Sequence, residues 1–151
     1  MLSPDYRDIL SAFIDEQVDY LVVGAYALAS HGLPRATGDL DLWVRCDDEN
    51  AKRVWRALAK FGAPLSEISE SDFSDQGLVF QIGVEPSRID ILTSIDDVEF
   101  DEGYKDRLEI EVDGLRVHVI GREHLIANKK AVGRPQDLAD VARLESLVKK
   151  G

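Results

Sequence analysis

Residues 39–44 read Asp-Leu-Asp-Leu-Trp-Val, an alternation of period two. Successive side chains of a strand point to opposite faces, so Leu40, Leu42 and Val44 share one face and Asp39, Asp41 and Trp43 the other. The chain must therefore build a sheet whose one face is packed here, while the other carries two carboxylates about 6.6–6.8 Å apart along the strand.

The surrounding segments supply the partners of that strand. Ser3-Pro4 opens a helix over Ser3–Glu16 with Tyr6, Ile9, Leu10, Phe13 and Ile14 on one side. Tyr20–Val23 is a short apolar run, read as a buried strand, and Gly24 ends it before a helix over Ala25–His31. Leu33–Gly38 connects to the strand Asp39–Arg45. Asp47 or Asp48 caps the next helix, with Val54, Trp55, Leu58, Ala59 and Phe61 on its apolar side, and Gly62-Ala63-Pro64 stops it. Residues 65–77 read as loop or short helix, Leu78–Ile82 and Arg88–Leu92 as strands, and the acidic stretch Thr93–Lys105 as loop. Asp113-Gly114 joins the strands Leu108–Val112 and Leu115–Ile120 into a hairpin. Arg122–Val132 and Gln136–Lys149 close the chain as two helices. The order predicts an α+β (α/β) domain with a mixed β-sheet flanked by helices and a C-terminal helical pair. The sheet core lies over about residues 20–120 and the helical pair over 121–150. The strand–helix–strand opening favours parallel pairing at the start of the sheet.

Composition narrows the function. The 151 residues suit one domain. Eighteen Lys and Arg against 29 Asp and Glu leave a net charge of −11. Such a surface repels a phosphate backbone, which argues against duplex DNA and against an anionic membrane as partners. The single cysteine, Cys46, excludes an intramolecular disulfide framework and any multi-cysteine zinc site, and is read as inert. With no apolar run of membrane-spanning length and no signal-peptide pattern at the N-terminus, a cytoplasmic protein is expected.

Three elements carry candidate chemistry. Asp39 and Asp41 project from one face of a strand and offer hard oxygen ligands of the kind that suit magnesium or manganese. Asp90 is a lone acid inside the apolar run Arg88–Leu92, so it must meet solvent or a partner. Were that strand beside residues 39–44, three carboxylates would converge, enough for two metal ions. Val22-Val23-Gly24-Ala25 runs from strand into helix, where glycine permits close backbone approach and free N–H groups can meet phosphate. Trp43, on the carboxylate face, is either a base-stacking ring or a rim aromatic. Arg35 has two open readings, a triphosphate contact or an ion pair that holds its loop. Lys129 is placed to reach a phosphate, Lys130 and Arg134 are read as surface charge, and Asp137 and Asp140 as helix N-terminal acids that favour the dipole. His31, His118 and His124 have no metal-ligand spacing, and His118 is expected to be exposed.

Together the Gly24-Ala25 turn, Asp39-Leu40-Asp41 and Asp90 resemble the nucleotidyltransferase fold superfamily related to DNA polymerase beta. The run from His31-Gly32 through Arg35-Ala36-Thr37-Gly38 to Asp41 is similar to small bacterial nucleotidyltransferase-like proteins, including those of abortive-infection and toxin–antitoxin systems. The closing run from Lys129-Lys130 through Arg134-Pro135-Gln136-Asp137 to Asp140 resembles their C-terminal pattern. Ala25 departs from it, standing where the family has Gly or Ser. The resemblance implies that Asp39 and Asp41 bind magnesium and the triphosphate of a nucleoside triphosphate, with Gly24, Ala25, Arg35 and Lys129 around the nucleotide. It implies that Asp90 completes a second metal site and helps deprotonate an acceptor hydroxyl, which takes the nucleoside monophosphate as pyrophosphate leaves. The acceptor is open among a protein, a small molecule and a tRNA end. The Ala25 departure also keeps in view a catalytically weak module of the same fold that acts by docking a partner protein. A sugar-nucleotide glycosyltransferase using Asp-x-Asp ranks last, since the chain is short and Gly24-Ala25 has no counterpart there.

Overall fold

The computed structural model describes residues 2–34 and 39–150. Its helices are α1 (Pro4–Asp15), α2 (Gly24–Ser30), α3 (Asp48–Phe61), α4 (Phe100–Lys105), α5 (Arg122–Val132) and α6 (Pro135–Lys150), with a short 3-10 turn at Glu70–Ser74. Its strands are β1 (Tyr20–Val23), β2 (Asp39–Val44), β3 (Val79–Ile82), β4 (Arg88–Leu92), β5 (Leu108–Val112) and β6 (Leu115–Val119). They form one six-stranded sheet in the order β3-β4-β2-β1-β6-β5. β2 runs parallel to β4 and β1 parallel to β6; the remaining neighbours are antiparallel.

Local chemistry sets the ends of the helices. The Ser3 hydroxyl accepts from the Tyr6 amide at the start of α1, and Asp47 accepts from the Asn50 amide at the start of α3. Gly62, at φ 93°, takes the left-handed conformation that closes α3. Asn50 is buried and ties α3 to the sheet: its side chain accepts from the Asp19 amide and donates to the carbonyls of Asp19 and Arg45.

The sheet is packed on both sides at its centre. Phe13 of α1 meets Tyr20 at 5.6 Å between ring centroids. Tyr20 and Val22 pair with Val44 and Leu42, so α1 covers that face. On the opposite face Trp43 meets Phe100 of α4 at 5.0 Å, edge to face.

Three expectations change here. β1 and β2 pair antiparallel, with Val23 opposite Asp41. A parallel pair would need the connector to carry the chain back to the far end of the sheet. Seven-residue α2 is only about 10 Å long, and the chain re-enters the sheet at the end where β1 left it. Residues 100–105, read as loop, are α4; its apolar contribution is Phe100 and Tyr104 on one side, too few to show a period in the sequence. Trp43 is neither a rim aromatic nor placed to stack on a base: it is 2% exposed beneath α4. Gly103 lets α4 come close, since a Cβ there would lie 3.3 Å from the indole.

Candidate active site

Parallel pairing of β2 with β4 brings the sequence candidates together. Asp41 stands opposite Asp90, and Asp39 opposite Arg88. Directly opposed residues on neighbouring strands share a face, so the three carboxylates lie side by side. Asp90 is 7% exposed.

Gly24 shapes the edge of this cluster. Its φ is +71°, and an added Cβ would fall 2.2 Å from Asp41 Oδ2. The position therefore excludes side chains twice, by backbone conformation and by contact. The same closeness puts the start of α2, with Ala25, beside the Asp41 carboxylate.

The electrostatics are strained. The Asp41 carboxyl is raised from 3.8 to about 7, first by burial and then by the charges of Asp90 and Asp39, with Arg88 opposing. Tyr6 of α1 closes the neighbouring side. Its hydroxyl lies 3.1 Å from the carbonyls of Pro86 and of Arg88, and its ring meets Tyr26 of α2 edge to face. Burial, then the charges of Tyr26, Asp39 and Asp41, push the Tyr6 phenol to about 12.

Arg88 is the residue that sequence reasoning passed over. Its Nη2 donates to Asp39 Oδ2 at 2.6 Å and to Asp90 Oδ2 at 3.3 Å. Its Nε lies 3.3 Å from Asp90 Oδ1 as an ion pair. The signal was Arg88-Ile89-Asp90 itself: residues two apart on a strand share a face, so a basic residue there must sit on the acids.

The donors fit a hard divalent cation in kind, being carboxylate oxygens on rigid strands. As the side chains stand, no group of three or more His, Cys, Asp or Glu among the described residues is drawn together to hold a metal ion. Arg88 holds Asp39 and Asp90 instead.

The other candidates lie elsewhere. Arg35 falls outside the described residues. Lys129, expected on a phosphate, is buried with its Nζ 3.1 Å from Asp140 Oδ2 and 3.4 Å from Asp137 Oδ1. Asp137 and Asp140 are buried, at 1% and 2% exposure, so an exposed helix-dipole role does not describe them. Asp137 also receives Arg134, which therefore does more than carry surface charge, and the Arg134 bond holds the Asp137 carboxyl below its usual range. This cluster fastens α6 to α5. His118 is not exposed: Arg107 Nε donates to its Nδ1 at 3.1 Å and it packs on Tyr20. Burial, then Arg107, lower its basicity.

A mixed sheet that carries Asp-x-Asp on one strand, a third acid on its parallel neighbour and a glycine turn against them defines a nucleotidyltransferase fold, and solved structures agree. The Thermotoga maritima protein TM1012, assigned to the nucleotidyltransferases, aligns over 99% of this chain and 94% of its own at 20% identity and a TM-score of 0.57. The antibiotic-resistance factor ANT(2'')-Ia aligns over 97% and 83% at 17% identity and a TM-score of 0.62. The lincosamide antibiotic adenylyltransferase LnuA, solved with lincomycin, aligns over 97% and 98% at 14% identity and a TM-score of 0.59. None of the curated proteins matches the chain. The chain belongs to the family described as nucleotidyl transferase of unknown function (DUF2204), which matches residues 3–151. No helix among the described residues is long and apolar enough to cross a membrane.

Proposed function

We propose that this protein is a magnesium-dependent nucleotidyltransferase that moves a nucleoside monophosphate from a nucleoside triphosphate to an acceptor hydroxyl. The observation that carries the reading is the register of Asp41 with Asp90, with Gly24 against Asp41. It sets three carboxylates and the strand–glycine–helix turn at one place.

In this reading Asp39 and Asp41 hold the cation and, through it, the triphosphate. Magnesium (or manganese) supplies charge neutralisation at the phosphates. Gly24 and Ala25 present backbone to the phosphates, and Arg35, four residues before Asp39, joins them. Lys129 is assigned to holding α5 on α6, because its ammonium is already engaged by two acids. Asp90 receives the proton of the acceptor hydroxyl as the oxygen attacks the alpha-phosphorus. The bond from that phosphorus to the bridging oxygen breaks, and pyrophosphate leaves. Catalysis is mostly positioning and electrostatics.

For the acceptor we favour a small hydroxylated molecule. ANT(2'')-Ia has been solved with adenylyl-2''-tobramycin and LnuA with lincomycin, which shows what this fold accommodates in those proteins. The net charge of −11 disfavours tRNA.

Calorimetric titration of ATP and GTP, with and without magnesium, tests the reading on wild type and on Asp39→Ala/Asp41→Ala. Magnesium-dependent binding that the double variant loses is the expected result. A folded wild type that binds no nucleotide would sink the enzyme reading and leave a partner-docking module of the same fold.

A further inference from the structure

We propose that Arg88 is a displaceable counter-ion: it closes the carboxylate site of the free protein and must leave Asp39 before a divalent cation can enter. The cation is then taken up together with a nucleotide, whose phosphates receive the freed guanidinium. The inference rests on the nucleotidyltransferase reading and adds to it an order of events and a residue.

The geometry places Arg88 in direct competition with a cation. Its guanidinium lies within 3.3 Å of both Asp39 and Asp90. A divalent ion on the same oxygens would sit beside that positive charge in a partly buried setting, where repulsion is weakly screened. The two cannot share the acids at ease, and the ion carries twice the charge.

Arg88 is also held in a way that permits release. Its Nε and Asp90 Oδ1 are buried, 3.3 Å apart, yet neither makes a hydrogen bond. A locked brace would use the fork of guanidinium donors in full. Here a single nitrogen, Nη2, makes both hydrogen bonds, a short one to Asp39 at 2.6 Å and a long one to Asp90 at 3.3 Å. The Arg88 side chain is 31% exposed against 10% for Asp90, so the arginine borders solvent while the acid stays inside. Once freed, a planar guanidinium has few better partners than phosphate oxygens arriving at the same place.

The test uses Mn2+ alone as probe, followed by electron paramagnetic resonance, on wild type and on Arg88→Gln. Without nucleotide, Arg88→Gln is expected to bind Mn2+ at least about tenfold more tightly than wild type, since one competing charge has gone. With α,β-methylene-ATP and Mg2+, the variant is expected to bind the analogue about tenfold more weakly, the loss of one charge-assisted contact. A folded Arg88→Gln protein that binds Mn2+ no more tightly than wild type overturns the proposal. Should the variant fail to fold, the Nε–H resonance of Arg88 in wild type decides. It is expected to move when Mg2+ and the analogue are added together and to hold still with Mg2+ alone at the same concentration; a resonance that ignores both together overturns it. A wild type that binds no magnesium–nucleotide sinks the enzyme reading. A wild type that binds it, beside a variant with unchanged Mn2+ affinity, sinks only the Arg88 assignment.

Discussion

Replacing Asp41 with Asn is expected to stabilise the free protein at pH 8 while abolishing its binding of magnesium–nucleotide. Asn has the size of Asp and carries no charge. The Asp41 carboxyl is raised from 3.8 to about 7 by burial and by Asp90 and Asp39. In the folded state it therefore binds its proton more tightly than in the unfolded chain. The folded protein holds the extra proton between these two values, so stability falls as pH rises through that window. Below it the carboxyl is neutral in both states and contributes nothing. Above it the whole cost of ionising in place is present. A shift of about three units corresponds to about 4 kcal/mol, and water reaching the partly exposed carboxyl lowers the expected gain to about 2–4 kcal/mol.

Urea unfolding of wild type and Asp41→Asn at pH 4.5, 6 and 8 measures it. The difference between the two proteins isolates this group from the other acids that titrate over the same range. It should be small at pH 4.5 and grow to its full value at pH 8, where it is worth roughly 5–10 °C in Tm for a chain of this size. A variant less stable than wild type at pH 8, or a difference that does not change with pH, would refute the reasoning. The carboxylates would then not repel one another as their register requires.

Three further outcomes follow from named contacts. Gly24→Ala puts a Cβ 2.2 Å from Asp41 Oδ2 at a positive φ; thermal unfolding should show a loss of about 1–3 kcal/mol, and calorimetry a loss of nucleotide binding as Asp41 is pushed aside. Lys129→Ala removes the ammonium that Asp137 and Asp140 share while Asp137 keeps Arg134 and should cost about 1.5–3 kcal/mol in urea unfolding, whereas Lys130→Ala, an exposed neighbour, should fall within about 0.5 kcal/mol of wild type. Asn50→Ala removes three hydrogen bonds that tie α3 to the half-buried backbone of Asp19 and Arg45 and should cost about 2–3 kcal/mol, with exchange of the Asp19 amide accelerated.

What was legible in the sequence was whatever one local rule decides. Ser3-Pro4 and Asp47 announce helix starts because capping needs one side chain and its neighbours. The period of two in residues 39–44 gives β2 and sorts its faces. Asp90 stood out because an acid in an apolar strand needs a reason, and pairing with Asp41 supplies it. The misses depend on partners far along the chain. The direction of β1 relative to β2 is decided by where an α2 of seven residues delivers the chain. Trp43 is buried because α4, some sixty residues on, lays Phe100 against its ring. Lys129 could be read as a phosphate ligand until α6 folded back and placed Asp137 and Asp140 around it.

These contacts also separate two kinds of buried charge in one small domain. Around Lys129 the charges pair internally, so that cluster serves packing and has no need of a ligand. Around Asp41 the charges of the described residues do not balance: three acids face Arg88, and the surplus negative charge surfaces as a carboxyl that resists ionising until about pH 7. An apolar or amide side chain at Asp41 would pack at lower cost. A cluster built only for stability would not put a third carboxylate there, beside a glycine turn that makes room for it. On the reading proposed above, that surplus negative charge on rigid strands is there to meet a cation, and folding stability is what the site gives up in exchange.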